Sequence, residues 1–219
     1  YELIHHQDNP TIAPLTGSDG ISLRVTVKET SAERANHLLE QTKEKIMEKI
    51  GPYVIGTNNE TLMEKVKQLL QVHDQSIAAA ESITGGLFTD QLIAVEGASQ
   101  VCRGGIVCYD TRSKRDVLNV SPNTIARHGV VSEACVKEMA DKVRSLMDSD
   151  FGIAFSGVAG PATLEGHPVG TVYIAIHHDK GEMVETFLLQ GDRQTIRKKA
   201  ANKGFEMLFT FLKNNFSNE

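Results

Sequence analysis

Gln75-Ser76-Ile77-Ala78-Ala79-Ala80-Glu81-Ser82-Ile83-Thr84-Gly85-Gly86-Leu87 is the stretch whose reading decides the fold. Ile77 to Ala80 is a short apolar run that ends in Glu81-Ser82. Thr84-Gly85-Gly86 breaks it, and Leu87, Phe88, Leu92 and Ile93 then recur at helical spacing. This pattern predicts strand, tight turn, helix. Neither glycine carries a Cβ, so a backbone or ligand can come close. Thr84 is placed to act as N-cap, and the unpaired N–H groups at a helix start suit an anion or a developing negative charge. Ser82, just upstream, puts a hydroxyl where it can face a substrate. No Lys follows the glycines, so the turn is not a P-loop, and no glycine pair flanks Ser82 as in Gly-x-Ser-x-Gly. The same residues also suit a plain cap and connection.

Downstream the chain alternates helical and extended patterns. Arg103-Gly104-Gly105-Ile106-Val107-Cys108-Tyr109 reads as a glycine-led strand, followed by a turn through Asp110 to Lys114 and a helix. Ser132-Glu133 opens a helix striped by Val136, Met139, Ala140, Val143, Leu146 and Met147. Phe151 to Phe155 is a buried strand ending in a second glycine-rich turn, Ser156-Gly157-Val158-Ala159-Gly160-Pro161. Val169–Ile176 and Met183–Leu189 form a hairpin about His178-Asp179-Lys180-Gly181. A last helix runs from about Asp192 to Leu212. The class is α/β: a three-layer α/β/α domain with a mixed sheet.

Upstream, residues 1–20 are polar and turn-rich. Ile21 to Val27 alternates as a half-buried strand. Ser31 opens a helix striped by Leu38, Leu39, Ile46 and Ile50, Gly51-Pro52 stops it, and Tyr53-Val54-Ile55 reads as a short strand. Residues 1–57 therefore form a small β-α-β unit, too small to bury much core alone. Residues 58–219 form the larger domain, opened by a helix from Thr61 to Val72.

Among 219 residues the formal net charge is −5, 40 % are hydrophobic and 23 % charged. That balance is ordinary for a globular chain and lacks the basic footprint of a dedicated nucleic-acid binder. The first unit also lacks a Gly-x-x-Gly clamp, so nucleic acid is not an expected partner. No run of about 18 apolar residues suggests a membrane span. Cys102, Cys108 and Cys135 show no Cys-x-x-Cys spacing and read as buried free thiols in a reducing, cytoplasmic compartment. No metal is expected, since no histidine stands at ligand spacing. The chain begins at Tyr1 and reads as a piece of a longer protein.

Ligands of open α/β sheets gather beyond the carboxyl ends of the strands, where Ser82, Tyr109, Lys114 and Ser156 all fall. Ser82 can serve as nucleophile if a base stands beside it. A desolvated Lys114 can be that base, and Tyr109 can relay its proton. The Ser156 turn offers a hydroxyl and N–H groups for an oxyanion. Equally, Tyr109 and Lys114 fit as a strand-end residue and a solvated helix residue.

Ala80-Glu81-Ser82-Ile83-Thr84-Gly85-Gly86, Gly105-Ile106-Val107-Cys108-Tyr109 through Lys114, His128-Gly129-Val130-Val131-Ser132, Ser156 through Pro161, Pro168-Val169-Gly170-Thr171-Val172-Tyr173 and Gly191-Asp192-Arg193 follow one another in the order of a known family. On these motifs residues 60–212 resemble the CinA C-terminal family, and the first 57 resemble the small KH-like middle domain of full-length CinA. The family's amino-terminal domain, with its nucleotide pyrophosphatase activity, has no counterpart in this sequence.

The resemblance implies hydrolysis of the carboxamide of nicotinamide mononucleotide to nicotinic acid mononucleotide and ammonia, without cofactor or metal. Carried over by motif, Ser82 is the nucleophile, Tyr109 and Lys114 are the proton-transfer pair, and Ser156 meets the reacting carbonyl. Thr84, Gly85, Gly86 and Gly157 shape the pocket, and Arg193 suits the substrate phosphate. Ser156 replaces the family's usual Thr, and Ile83 its common Cys. The alternative implied by the family's name is a non-catalytic partner-binding protein of bacterial competence and DNA-damage responses. A homo-oligomer is expected in either case.

Overall fold

A computed structural model describes residues 7–17, 20–58 and 60–216. The chain divides into two compact units, Tyr1–Thr57 and Asn58–Glu219.

In the first unit, β1 (Thr11–Gly17) pairs antiparallel with β2 (Gly20–Thr26), in register from Thr11 opposite Thr26 to Gly17 opposite Gly20. Helix α1 (Ala32–Ile50) follows, its start capped by the Ser31 hydroxyl, which accepts from Arg34 N. The order is thus β-β-α, not β-α-β. The turn-rich reading of residues 1–20 missed β1, because Pro14 interrupts the run and only Ile12 in it is buried. Proline is tolerated there, since β1 is an edge strand. Tyr53–Ile55 forms no strand. Gly51–Tyr53 continues α1 as one 3-10 turn, closed by Val54 N donating to Gly51 O, and Tyr53 stays exposed.

The second unit opens with α2 (Leu62–Val72), whose Thr61 and Glu64 cap each other's orphan N–H groups. A five-stranded mixed sheet follows in the order β4-β3-β5-β6-β7. Its strands are β3 (Ile77–Glu81), β4 (Cys102–Val107), β5 (Phe151–Gly157), β6 (Thr171–His178) and β7 (Gly181–Leu188). β3 runs parallel to both β4 and β5, while β6 runs antiparallel to both β5 and β7. The connections carry α3 (Leu87–Ile93), α4 (Thr111–Asp116), α5 (Pro122–His128) and α6 (Glu133–Leu146), and α7 (Arg193–Phe216) closes the unit.

Side chains alternate across the strands and give the sheet two unlike faces. Ile77, Phe151, Ile153, Phe155, Val172, Ile174 and Ile176 point to a large core with α2, α3 and α7. Ala78, Ala80, Ala154 and Ala175 point the other way, toward α6. Small residues on that face let α6 lie close, and a Cβ at Gly152 would run into its Ala140 carbonyl and Arg144. On the opposite face, Gly204 of α7 leaves room for the Phe155 ring. Three layers result, and the carboxyl ends of β3, β4 and β5 share one edge, where the candidate side chains gather.

Candidate active site

Ser82 follows the last residue of β3, and its N–H is fixed by Phe155 O at 3.0 Å. Lys114 sits on α4, a short helix started by the Asp110 carboxylate, which accepts from Ser113 N. That helix turns Lys114 inward until the residue is 1 % exposed. Its Nζ lies 3.0 Å from Ser82 Oγ, 2.8 Å from Cys108 O and 3.4 Å from Tyr109 O. Burial pushes the lysine pKa down. Cys108 and Cys135 are themselves raised by burial, Cys135 to about 11, so near neutrality they are uncharged thiols and do not offset that effect. A neutral amine has two hydrogens and one lone pair. In that state two carbonyls can take the hydrogens and leave the lone pair for the serine hydroxyl, whereas the ammonium form donates to Ser82 Oγ.

The structure places the other predicted residues less uniformly. Tyr109 is 63 % exposed, and its hydroxyl accepts from Arg193 Nη2 at 3.1 Å. Lys114 Nζ reaches Tyr109 through the tyrosine's backbone carbonyl. Arg193, the first residue of α7, also donates through Nη1 to Gly160 O at 2.7 Å. Ser156 is buried on β5, and its hydroxyl donates to Val130 O at 2.6 Å. A Cβ on Gly157 would collide with the β6 backbone at Thr171 and Val172. Cys108 and Cys135 are buried free thiols, whereas Cys102 is only half-buried.

Thr84 is not the N-cap of α3. That position belongs to Gly86, at φ +99°, while Thr84 is fully buried with an Oγ1 that has no hydrogen-bond partner among the described residues. Nor does the helix start stand open for an anion. The Glu81 carboxylate accepts from Gly86 N at 2.9 Å, Phe88 N at 3.1 Å, Thr89 N at 2.9 Å and Thr89 Oγ1 at 2.6 Å. A built-in carboxylate outcompetes any exogenous one, because it reaches the N–H groups without a loss of translational freedom.

Three residues beyond the sequence reading shape the site. Glu81 had a local signal, as the one charged residue in an apolar strand. Arg197, far along the chain on α7, had none, yet it donates to Ile83 O at 3.1 Å and Thr84 O at 2.8 Å. Glu165 accepts from Val130 N at 3.1 Å and Val131 N at 2.9 Å, and so holds the segment that receives the Ser156 proton. Beside that segment a cavity of about 470 Å³ opens at the start of α6, lined by His128, Val131, Ser132, His167 and Tyr173 among others. Neither Ser82 nor Lys114 lines it, but Tyr173 stands opposite Ser156 across β5 and β6.

Fold and site together define a mixed α/β/α domain that carries a buried serine–lysine pair at the carboxyl edge of its parallel strands. The chain belongs to the CinA family: residues 59–212 match the CinA C-terminal domain, and residues 1–56 match the damage-inducible protein CinA KH domain. A relative in Geobacillus sp. (strain WCH70), named for competence-damage induction, is 46 % identical over 208 residues, which are 94 % of this chain and 50 % of that protein. A similarly named protein of Geobacillus kaustophilus (strain HTA426) is 43 % identical over 212 residues, 96 % of this chain and 51 % of its own length. This chain thus spans about half the length of the relatives it matches. Among solved structures, competence damage-inducible protein A from Klebsiella pneumoniae subsp. pneumoniae MGH 78578 superposes with a TM-score of 0.69 at 34 % identity, covering 70 % of this chain and 96 % of its own. The competence/damage inducible protein CihA of Agrobacterium tumefaciens gives 0.66 at 29 % identity, covering 68 % and 92 %.

Proposed function

We propose that this chain hydrolyses the carboxamide of nicotinamide mononucleotide, releasing ammonia and nicotinic acid mononucleotide. One observation carries the reading: a lysine amine, buried and lowered in pKa, stands 3.0 Å from a serine hydroxyl. A protein that only binds partners has no use for such a pair, whereas acyl transfer by a serine needs a base beside its hydroxyl. Neutral Lys114 takes the Ser82 proton as Oγ attacks the carboxamide carbon. The C–N bond then breaks, ammonia leaves with a proton from the Lys114 ammonium, and a nicotinoyl ester remains on Ser82. Water attacks that ester with Lys114 again as base, and the acid product and free Ser82 return.

Tyr109 and Arg193 sit at the exposed rim, joined by their hydrogen bond. In this reading Arg193 meets the substrate phosphate, and Tyr109 assists Lys114 only through its carbonyl and by ordering Arg193. Ser156, whose hydroxyl donates to Val130 O, would meet the carbonyl of the substrate amide. The test is ammonia release from nicotinamide mononucleotide by the purified chain, with Ser82→Ala as control. Release that depends on Ser82 is the expected result. A folded wild type that releases none overturns the reading.

A further inference from the structure

The Ser82 nucleophile stands on a turn that its own sequence makes soft. Gly85 and Gly86 adopt φ +61° and +99°, and consecutive glycines have the most conformational freedom to lose. Attack within an active site requires the oxygen to be held to within a fraction of an ångström. Something outside the turn must therefore hold it.

We infer that Arg197 is a positioning residue for Ser82, gripping the carbonyls of this turn while Glu81 grips its N–H groups. The two side chains divide the turn's peptide groups by polarity. The Glu81 carboxylate, 1 % exposed, takes Gly86 N and, beyond it, Phe88 N and Thr89 N. From the other side Arg197 reaches in from α7 with Nε on Ile83 O and Nη2 on Thr84 O. An anion faces the positive ends of the peptide dipoles and a cation the negative ends. The planar guanidinium can span two successive carbonyls, which a single ammonium cannot do.

Gly85 supplies a second, independent observation. A Cβ built on it would come within 3.0 Å of Arg197 Nη2, so this glycine leaves the guanidinium room to lie against the turn. Arg197 is itself anchored: Nη1 donates to Gln194 Oε1 at 3.1 Å, and its helix neighbours Ile196, Ala200 and Ala201 are buried in the large core. The register of α7 on the sheet is thereby transmitted to the nucleophile through one side chain.

This inference rests on Ser82 acting as nucleophile, and the experiment separates the two. Arg197→Ala, Arg197→Lys and the surface control Lys198→Ala are compared with wild type in three measurements: thermal midpoint, kcat and KM for nicotinamide mononucleotide, and the rate at which a fluorophosphonate labels Ser82. Arg197→Ala should lose on the order of 10²-fold in kcat, the scale of a nucleophile displaced by about 1 Å, with KM little changed and labelling slowed in parallel. Arg197→Lys should recover little of this, whereas added guanidinium ion should restore part of the Ala variant's rate. Wild-type kcat and labelling in the Arg197 variants, or a loss confined to KM, would overturn the inference; the second result would make Arg197 a substrate contact. If wild type labels at Ser82 but releases no ammonia, only the substrate reading fails, and labelling still decides for Arg197. If wild type does neither, the inference falls with the nucleophile. Should the Ala variant not fold, the Lys variant carries the decision.

Discussion

At the scale of single residues, the proposed chemistry rests on where one lysine loses its proton. Burial lowers the Lys114 pKa, so the acidic limb of the pH–rate profile should fall below the ordinary lysine range and rise with pH as the amine becomes neutral. Lys114→Met should remove that limb and cost roughly 10²–10⁴ in kcat; a limb that persists unchanged in the variant would take the base role from Lys114. The same shift links to stability. Between the lowered folded pKa and the unfolded value of 10.5, the unfolded chain binds more protons than the native one, so stability rises with pH across that window. Wild type should show that slope in its thermal midpoint, and Lys114→Met should lack Lys114's share of it. Ser82→Ala should lower turnover by at least ~10³ while leaving the thermal midpoint close to wild type. Near-native turnover in that variant would remove Ser82 from the mechanism. That Ser82 and Lys114 meet was legible beforehand, because both lie in motifs with recognisable neighbours. The hydrogen bond between Tyr109 and Arg193 was not, since nothing in residues 84 positions apart announces their meeting.

Among the elements, residue pattern showed every strand of the large sheet and the helices α2, α6 and α7, most of which bury apolar residues. The misreadings came where burial is slight. β1 buries only Ile12, so alternation gave no signal, and Tyr53–Ile55 had strand-forming residues yet pairs with no strand among the described residues. The assignment of Thr84 as cap followed a sound local preference, overridden by Glu81 acting from inside the preceding strand. Small-residue contacts between layers are another feature that only packing reveals. Gly204 of α7 sits where a Cβ would strike the Phe155 ring, with Ile153 Cδ1 at 3.3 Å. Gly204→Ala should therefore cost about 1–3 kcal/mol by overpacking, despite alanine's better helix propensity. Urea unfolding of the purified variant measures this, and a variant as stable as wild type would show that α7 can shift away at no cost. Such a shift would also move Arg197, so turnover should fall even where stability does not.

Over the whole molecule, the division at Thr57 separates the chemistry from the rest. Ser82, Lys114, Tyr109, Ser156, Arg193, Glu81 and Arg197 all belong to Asn58–Glu219, and so do both apolar clusters that hold them in place. The solved Klebsiella chain is matched over 96 % of its length while covering only 70 % of this one, so a chain of about this second unit's length folds in a relative. Residues 58–219 expressed by themselves should accordingly fold cooperatively and turn over nicotinamide mononucleotide with the kcat and KM of the full 219-residue chain. The first unit buries little, Ile12 and Ile46 being its fully buried apolar side chains among the described residues, and its removal should leave the main unfolding transition where it was. Calorimetry and steady-state kinetics on the two chains make the comparison. A shortened chain that unfolds earlier, or that keeps its fold but loses kcat, would mean that residues 1–57 complete the site rather than merely accompany it.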